Sequence, residues 1–484
     1  MTNQPASSHP NSSSLSRAFI SLTVIFLALG ATAAEPKQGA DLLKTDIIAV
    51  FAHPDDEIGL ATVLARYALG ENKVVVNVYT TRGEGGGNMV GTHWGEALGI
   101  LRETELRQCL DILGVHSCYF LDRLDWAYTE SADATMQKWD REETLERLVR
   151  LVRALRPDVI VTMGPAPRPG SHGHHQAVGI LAIEAFAAAA DPDRFPLQLT
   201  KEGLMTWQTR RLYFGGSDAE VISTIAVDKP LPDGQTPAEV AGAALVNHRS
   251  QAFGNFSNSP WMQRPREFTL VSAFVPNPGS ETDLLAGRPV PDSSLAPVDF
   301  PKPVSAAFQL DFVPRPAVAN YNRWIKEQGI EHIAEQFPAD LPVVNGEPND
   351  LQLQLQNTGE KVMVGELTLK APAGWSIVEA QRLVRVRPGS STTVTVRVIP
   401  PIHNLNDADL TATVLADGHT FQAEAKLHPL PQARAPRLDT APVLDGTGRG
   451  WEEIPALTIG PANRVQGNIA DASDSSARFR VAQA

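Results

Sequence analysis

The stretch "AVFAHPDDEIGLATV", residues 49–63, sets His53, Asp55, Asp56 and Glu57 directly behind an apolar run, and "GPAPRPGSHGHHQAVG", residues 164–179, adds His172, His174 and His175. Carboxylates at the end of a buried strand cost several kcal/mol or more unless a positive partner sits beside them. Two imidazoles and a carboxylate, His53, Asp56 and one histidine of the second cluster, are a ligand set used by catalytic zinc, with positions left for water and substrate. Asp55 and Asp56 are neighbours, so their side chains diverge: one can hold a metal while the other faces the bound water and takes its proton. That is hydrolytic chemistry. A third unusual stretch, "TTRGEGGGN" at 80–88, lacks the Lys-Ser/Thr sequel of a phosphate-binding loop. It reads as a place of close backbone approach, with Glu84 as a structural hydrogen-bond acceptor.

These groups need a scaffold, and the chain writes one. "DIIAVFA", "KVVVNVYT", "CYFL" and "DVIVTMG" are short β-branched or apolar runs. Between and after them "EIGLATVLARYALG", "EALGILRETELRQCLDILG", "REETLERLVRLVRALR" and "HQAVGILAIEAFAAAA" carry helical periodicity, and Gly70 and Gly114 end the first two. Such alternation predicts an α/β fold with a mostly parallel sheet and helices on both faces, in which ligands bind beyond the carboxyl ends of the strands. All three unusual loops follow strands, so they meet at one rim.

At 484 residues the chain exceeds one core, and about 150 residues per domain suggests three units. A net charge of -13 argues against nucleic acid as a partner, because phosphate neutralisation needs basic patches. At the start, a polar region ending in Arg17, an apolar stretch from Ala18 to Gly30 and the small residues Ala31, Ala33 and Ala34 predict a signal peptide over 1–34 and export to the periplasm or the extracellular space. The apolar stretch is short for a bilayer span, which takes about 20 residues, so no stable membrane span is expected in the mature form. Cys109 and Cys118 are too few for a disulfide framework or a structural zinc site. Both read as small buried hydrophobes, and their pairing stays open.

Beyond the α/β region, placed at 45–290, a Pro-rich connector with one helix is expected over 291–340. Residues 341–428 alternate polar and apolar between turn residues and predict an all-β, Ig-like sandwich. Residues 435–484 begin a further β module and stop mid-pattern, which reads as an incomplete domain.

Together "AHPDDE", "TRGEGG", "LRETELRQCLDILGV", "HGHHQAVG" and "NHRSQ" resemble the PIG-L/LmbE-like N-acetylglucosaminyl deacetylase family over roughly residues 45–290. The resemblance implies a Rossmann-like fold and a zinc-dependent amidohydrolase, with another divalent metal as the variant. It places metal ligands at His53, Asp56 and His175, the general base at Asp55, and the group that stabilises the oxyanion or assists proton transfer at His172. Arg102 and Asp125 take substrate-binding roles, with a helix-surface ion pair to Glu96 or Glu105 as the competing reading of Arg102. His248 of "NHRSQ" is open between substrate contact and loop bracing. The chain departs from the family's "HPDH" by writing "HGHH", which puts the orientation of His172 in question and makes His174 a rival ligand. The sandwich resembles Ig-like modules attached to carbohydrate-active enzymes, and the tail is similar to the opening of family 9 carbohydrate-binding or DOMON-like modules. The expectation is an exported de-N-acetylase that frees acetate and an amine from an N-acetylated amino sugar or glycoconjugate. Its rivals are a metal-dependent hydrolase of another N-acyl amide, and a non-catalytic carbohydrate-binding protein on a degenerate scaffold. Retention of His53, Asp55, Asp56 and His175 speaks against the last, and "HGHH" speaks for it.

Overall fold

The computed structural model describes residues 39–216, 222–256, 259–274, 282–286, 295–302, 306–402 and 406–430, and beyond these 435, 437–438, 450–452, 454–459 and 477–481. The leader expected at 1–34 and most of the module expected at 435–484 lie outside the described residues.

Strands β1 (Ile47–Phe51), β2 (Val75–Tyr79) and β4 (Val159–Thr162) are buried at every position, while β3 (Ser117–Phe120) is half-buried. Continuous apolar runs of this kind suit strands covered on both faces. With β5 (Arg211–Gly215), β6 (Ile222–Ile225) and β7 (Arg266–Ala273) they form one sheet in the order β3-β2-β1-β4-β5-β7-β6. The first five strands run parallel, with Ile47 opposite Val75 on one side and Val159 on the other, and β7 lies antiparallel to β5 and β6. The chain builds outward from β1 to β3 and then returns to place β4 on the other side of β1. Ligands in such sheets bind at that reversal.

Eight α-helices are described: α1 (Ala61–Ala65), α2 (Glu96–Leu113), α3 (Ala132–Trp139), α4 (Arg141–Leu155), α5 (Gly173–Ala188), α6 (Pro196–Thr200), α7 (Pro237–Leu245) and α8 (Pro316–Gln328). Ile47, Ala49, Phe51 and Tyr79 pack on side chains of α1, α2 and α7. Ile48, Val50, Val76 and Val78 pack on α3, α4 and α5. This is the period-two split of a strand. The helix expected over 57–70 comes in three pieces: a 3₁₀ turn at Asp56–Gly59, α1, and a π turn at Arg66–Gly70. In the last piece Arg66 donates to Ala226 O (2.8 Å) and Thr282 O (3.2 Å), and the Tyr67 hydroxyl bonds Asp283 (2.9 Å), which ties the turn to distant segments.

Residues 291–340 hold more than the expected helix. The side chains Tyr321, Trp324 and Ile325 of α8 join the core on the α5 face of the sheet. Strand β8 (Phe308–Phe312) pairs antiparallel with β10 (Asn349–Asn357) and belongs to the sandwich, and β9 (Ala339–Val344) pairs with the last sandwich strand. Phe308, Leu310 and Phe312 point inward between Gln309 and Asp311, a strand signal only five residues long among prolines. The remaining strands are β11 (Met363–Lys370), β12 (Ser376–Val378), β13 (Gln381–Val386), β14 (Ser390–Ile399), β15 (Ala408–Ala416) and β16 (His419–Leu430). The two sheets, β12-β14-β10-β8 and β13-β11-β15-β16-β9, enclose a core that includes Leu353, Leu355, Leu367, Leu410 and Val414. Of the terminal module, β17 (Leu457–Ile459) pairs with β18 (Ala477–Phe479).

Two buried contacts fix the elements that carry the histidines and acids. Helix α5 crosses the end of β4 at Gly179, where an added Cβ would come within 3.0 Å of the Met163 carbonyl oxygen and meet Pro165 N. On the opposite side of β1, Glu57 and His248 are both fully buried and bonded to each other through Glu57 Oε1 and His248 Nε2. Glu57 Oε2 also accepts from the Tyr79 hydroxyl (2.9 Å) and from Asp55 N (3.1 Å). Burial alone would raise the Glu57 pKa, but the adjacent His248 holds it below the ordinary carboxyl value. Burial would likewise lower His248, and the Glu57 carboxylate raises it instead.

Gly179→Ala is therefore expected to cost about 1–3 kcal/mol in urea unfolding, because the backbone contact has no flexible partner to give way. His248→Ala is expected to cost about 3–5 kcal/mol by leaving a buried carboxylate unpaired. A raised His248 pKa gives stability that is complete below the unfolded value and lost as pH climbs through the folded one; a lowered Glu57 pKa gives stability lost as pH falls through its folded one. The difference between wild type and variant should thus be largest between about pH 4.5 and 6.5 and shrink on the alkaline side.

Candidate active site

The turn after β1 orders the first cluster. Asp56 Oδ2 accepts from the backbone N–H groups of Ala52 (2.9 Å) and His53 (2.7 Å), which leaves Oδ1 facing His175 Nε2 at 3.2 Å. Asp55 sits at φ 110°, in the left-handed region that non-glycine residues rarely adopt. It is held there by the hydrogen bond from its N–H to Glu57, and its carboxylate turns away from that of Asp56 to meet Arg102 Nη2 at 3.0 Å.

His53 is buried between two acid groups. Its Nδ1 lies 3.3 Å from His175 Nε2 and 3.6 Å from Asp56 Oδ2. Its Nε2 lies 3.0 Å from His174 Nδ1 and 3.7 Å from Asp125 Oδ1. Burial lowers its pKa, but Asp125 and Asp56 more than reverse this and raise it to about 10. Asp56, whose burial would raise it, is held well below the ordinary carboxylate range by His175 and His53. The cluster is built to hold positive charge.

Helix α5 supplies the second cluster from its first turn. His172 is the N-cap, and its Nδ1 accepts from His174 N at 3.0 Å. Burial, and then the neighbouring imidazoles, push its pKa down to about 3, so the ring is neutral and carries its hydrogen on Nε2. His174 is fully buried against Trp139, with ring centroids 4.7 Å apart. His175, more open, faces the Asp56 side of His53. The "HGHH" spelling has a steric reason at Gly173. Its N–H donates to Thr129 O (2.6 Å), and an added Cβ would come within 3.0 Å of Ser131 O and the Thr129 hydroxyl. Proline at this position would lose that bond and clash.

His53, Asp56 and His175 fit a divalent ion. His175 Nε2 lies 3.2 Å from Asp56 Oδ1 and 3.3 Å from His53 Nδ1, close to the edge of a tetrahedron whose ligand bonds are about 2.0–2.1 Å long. Among the described residues, His53, Asp125, His172 and His174 also place their ligand atoms within 4.8 Å of one another, on the Nε2 side of His53. That side is closed by fully buried His174 and serves as the outer bracket that orients a metal-binding imidazole.

The two residues expected to touch substrate lie elsewhere. Arg102 is 4% exposed and donates to Pro54 O (2.5 Å) and Gly83 O (2.9 Å) besides its pairing with Asp55. It lies neither on the helix surface nor open to a sugar: its position on α2, in register with the buried Leu98 and Glu105, directs it under the loops. Asp125, 8% exposed, accepts from Gly85 N (3.2 Å) and faces His53 and His174. The glycine-rich loop packs over both. An added Cβ at Gly83 or Gly85 would strike Arg102 or the Asp125 backbone within 3.0 Å, and Glu84 accepts from Arg82 N and Asp125 N. Asp55, although the Arg102 guanidinium opposes it, is raised by burial to about 6.

Two features carry weaker sequence signals. His248 is a brace for Glu57, and its partner could be read only as one acid of a run. Tyr128, in the loop after β3, is 59% exposed and stands edge-on to His172 with centroids 4.8 Å apart. An exposed aromatic in "LDWAYTE" gives no periodic signal.

Residues 48–186 match the PIG-L family pattern described as GlcNAc-PI de-N-acetylase, and residues 343–416 match the NPCBM-associated NEW3 domain of alpha-galactosidase. A 1D-myo-inositol 2-acetamido-2-deoxy-alpha-D-glucopyranoside deacetylase 1 of Frankia casuarinae is 35% identical over 184 residues, covering 34% of this chain and 57% of that protein. A deacetylase of the same description from Thermobifida fusca is 34% identical, and the chain spans 60% of its length. Among solved structures, an N,N'-diacetylchitobiose deacetylase from Pyrococcus horikoshii covers 47% of this chain and 83% of its own at 20% identity and a TM-score of 0.38. A further 1D-myo-inositol 2-acetamido-2-deoxy-alpha-D-glucopyranoside deacetylase, from Kineococcus radiotolerans, is 32% identical over 325 residues, which cover 52% of this chain and 87% of that protein, and on this likeness the chain belongs to the PIG-L family.

Proposed function

We propose that the chain is a metal-dependent de-N-acetylase that hydrolyses the acetamide of an N-acetylglucosamine-type sugar or glycoconjugate to acetate and a free amine. The observation that carries this reading is the convergence, at one sheet edge, of the His53, Asp56 and His175 ligand set with a second carboxylate, Asp55, that is not part of it. The deacetylase names of the relatives support the substrate class. The expected leader and the match to a domain of a galactosidase support a substrate outside the cytoplasm.

His53, Asp56 and His175 would hold a divalent ion, zinc in this proposal, which would supply Lewis acidity toward the acyl carbonyl and a water. Asp55 takes the proton from the attacking water, and Arg102 fixes its carboxylate for that transfer. Nε2–H of His172 donates to the oxyanion that develops on the carbonyl oxygen, since Nδ1 is already bonded to the start of α5. The proton held by Asp55 then passes to the departing nitrogen as the C–N bond breaks. Asp125 and His174 keep His53 in its ring orientation from behind.

Asp55→Asn should keep one equivalent of zinc and lose acetate release from N-acetylglucosamine oligosaccharides by about 10²–10⁴-fold. Undiminished release would remove Asp55 as the base, and absence of stoichiometric zinc from the wild-type chain under replete conditions would remove the metal from the proposal. Zinc must displace the proton that the two carboxylates hold on His53. Calorimetric titration should therefore show proton release and an affinity that rises with pH by about tenfold per unit while one proton leaves. A pH-independent affinity would show that His53 is not a ligand.

A further inference from the structure

Beside the ligand Asp56 a cleft of about 370 Å³ opens between the carboxyl ends of β1, β4 and β5 and the segment before β7. Its walls are mostly apolar, with Leu60, Met163 and Trp261, and with Gly164 and Gly215 as a floor without side chains; Thr162, Arg266 and Glu267 are the polar residues beside Asp56. The Trp261 ring is 36% exposed and is braced from behind by the Arg266 guanidinium, 3.8 Å from its centroid. Two of the polar groups in the cleft are engaged, while Glu267, which is exposed, also lines it. Thr162 donates to Val50 O (3.2 Å), and Arg266 donates to Trp261 O (3.1 Å) and Arg264 O (3.3 Å). A sugar ring placed here would find few partners for its hydroxyls, and each unpaired hydroxyl costs free energy on burial. On the other side of the cluster Tyr128 stands exposed beside His172.

We infer that this cleft is an acyl-chain subsite, so that the favoured substrates carry an N-acyl group longer than acetyl, of about six to eight carbons. The inference rests on the proposed amide hydrolysis and names its substrate class. An amide at the metal ligands has two arms, and Asp56 is shared between the ligand set and the cleft wall, so one arm continues into the cleft. The apolar arm is the acyl chain, and the amino sugar takes the Tyr128 side. The reaction is unchanged: water oxygen bonds to the acyl carbon, the C–N bond breaks, the nitrogen gains the proton, and a fatty carboxylate leaves.

The test compares glucosamine carrying N-acetyl, N-butyryl, N-hexanoyl and N-octanoyl groups with the zinc-loaded wild-type chain and with Gly215→Leu and Trp261→Ala. An added Cβ at Gly215 lies 3.9 Å from Leu60 Cδ2, and the glycine has no positive φ, so leucine there fills the cleft. Each methylene buried should raise kcat/KM by about three- to fourfold until the cleft is full. The hexanoyl-to-acetyl ratio should be at least about tenfold in the wild type and fall several-fold in both variants. Trp261→Ala keeps the test open should Gly215→Leu not fold. Acetate release with no gain on lengthening, or a ratio unmoved by both variants, would overturn the acyl subsite while leaving the deacetylase proposal in place. A rise in KM for every chain length alike in Trp261→Ala would assign the cleft to the sugar and overturn the inference. Hydrolysis of none of the four amides would overturn the proposed function and the inference with it.

Discussion

The site depends on how a strand end buried on both faces accommodates charge. Asp55, Asp56, Glu57 and Asp125 all place carboxylates in or beside the interior at the carboxyl ends of β1 and β3, where isolated charges are costly. Each is answered separately. Glu57 has His248, Asp55 has Arg102, and Asp125 has His174 and His53. Asp56 is answered by two backbone N–H groups and by imidazoles that must be neutral to bind metal. Glu57, Asp55 and Asp125 have partners that stay in place, whereas Asp56 is answered by His175 and by the proton on His53, which a divalent ion would displace.

His53 links the two halves of this arrangement because its two nitrogens face different surroundings. Nδ1 looks toward Asp56 and His175, and Nε2 toward Asp125 and His174. A ring gripped on one edge by buried groups presents the other edge with little freedom, which preorganises a ligand. The same division separates the histidines of α5. His174 points inward and completes the bracket, His175 turns to the Asp56 side, and His172 caps the helix with Nδ1, which leaves Nε2 outside the cap. Replacement of the family's Pro-Asp by Gly-His therefore redistributes support around the proposed ligands: Gly173 admits the loop at 129–131, and Asp125 supplies a carboxylate to the ring system from the segment after β3.

Much of this was legible in the chain because its signals were local. Alternating β-branched runs and helical periods gave the parallel sheet, and clustered His and Asp residues after strands gave the rim. What escaped was non-local. Arg102 and Asp125 are expected at the substrate, and only the packing of the glycine loop at 83–87 over them places them against Asp55 and His53. Strand β8 escaped because five residues among prolines make a weak period-two signal whose partner, β10, lies some forty residues on. The pairing of Glu57 with His248 spans most of the α/β region, and no spacing rule connects them.

The least comfortable residue in the structure is the proposed base. A non-glycine residue at φ 110° costs on the order of 1–3 kcal/mol and persists only where its surroundings over-determine it. Here they do so from both ends: the Asp55 N–H is held by Glu57, itself locked by His248 and Tyr79, and the carboxylate is held by Arg102. Glycine would relieve the backbone but delete the carboxylate. A relaxed turn would keep the carboxylate but swing it away from Arg102. The buried Glu57–His248 pair is thus explained by the conformation it enforces two residues upstream. Stability invested in that pair is spent on the direction of one oxygen atom.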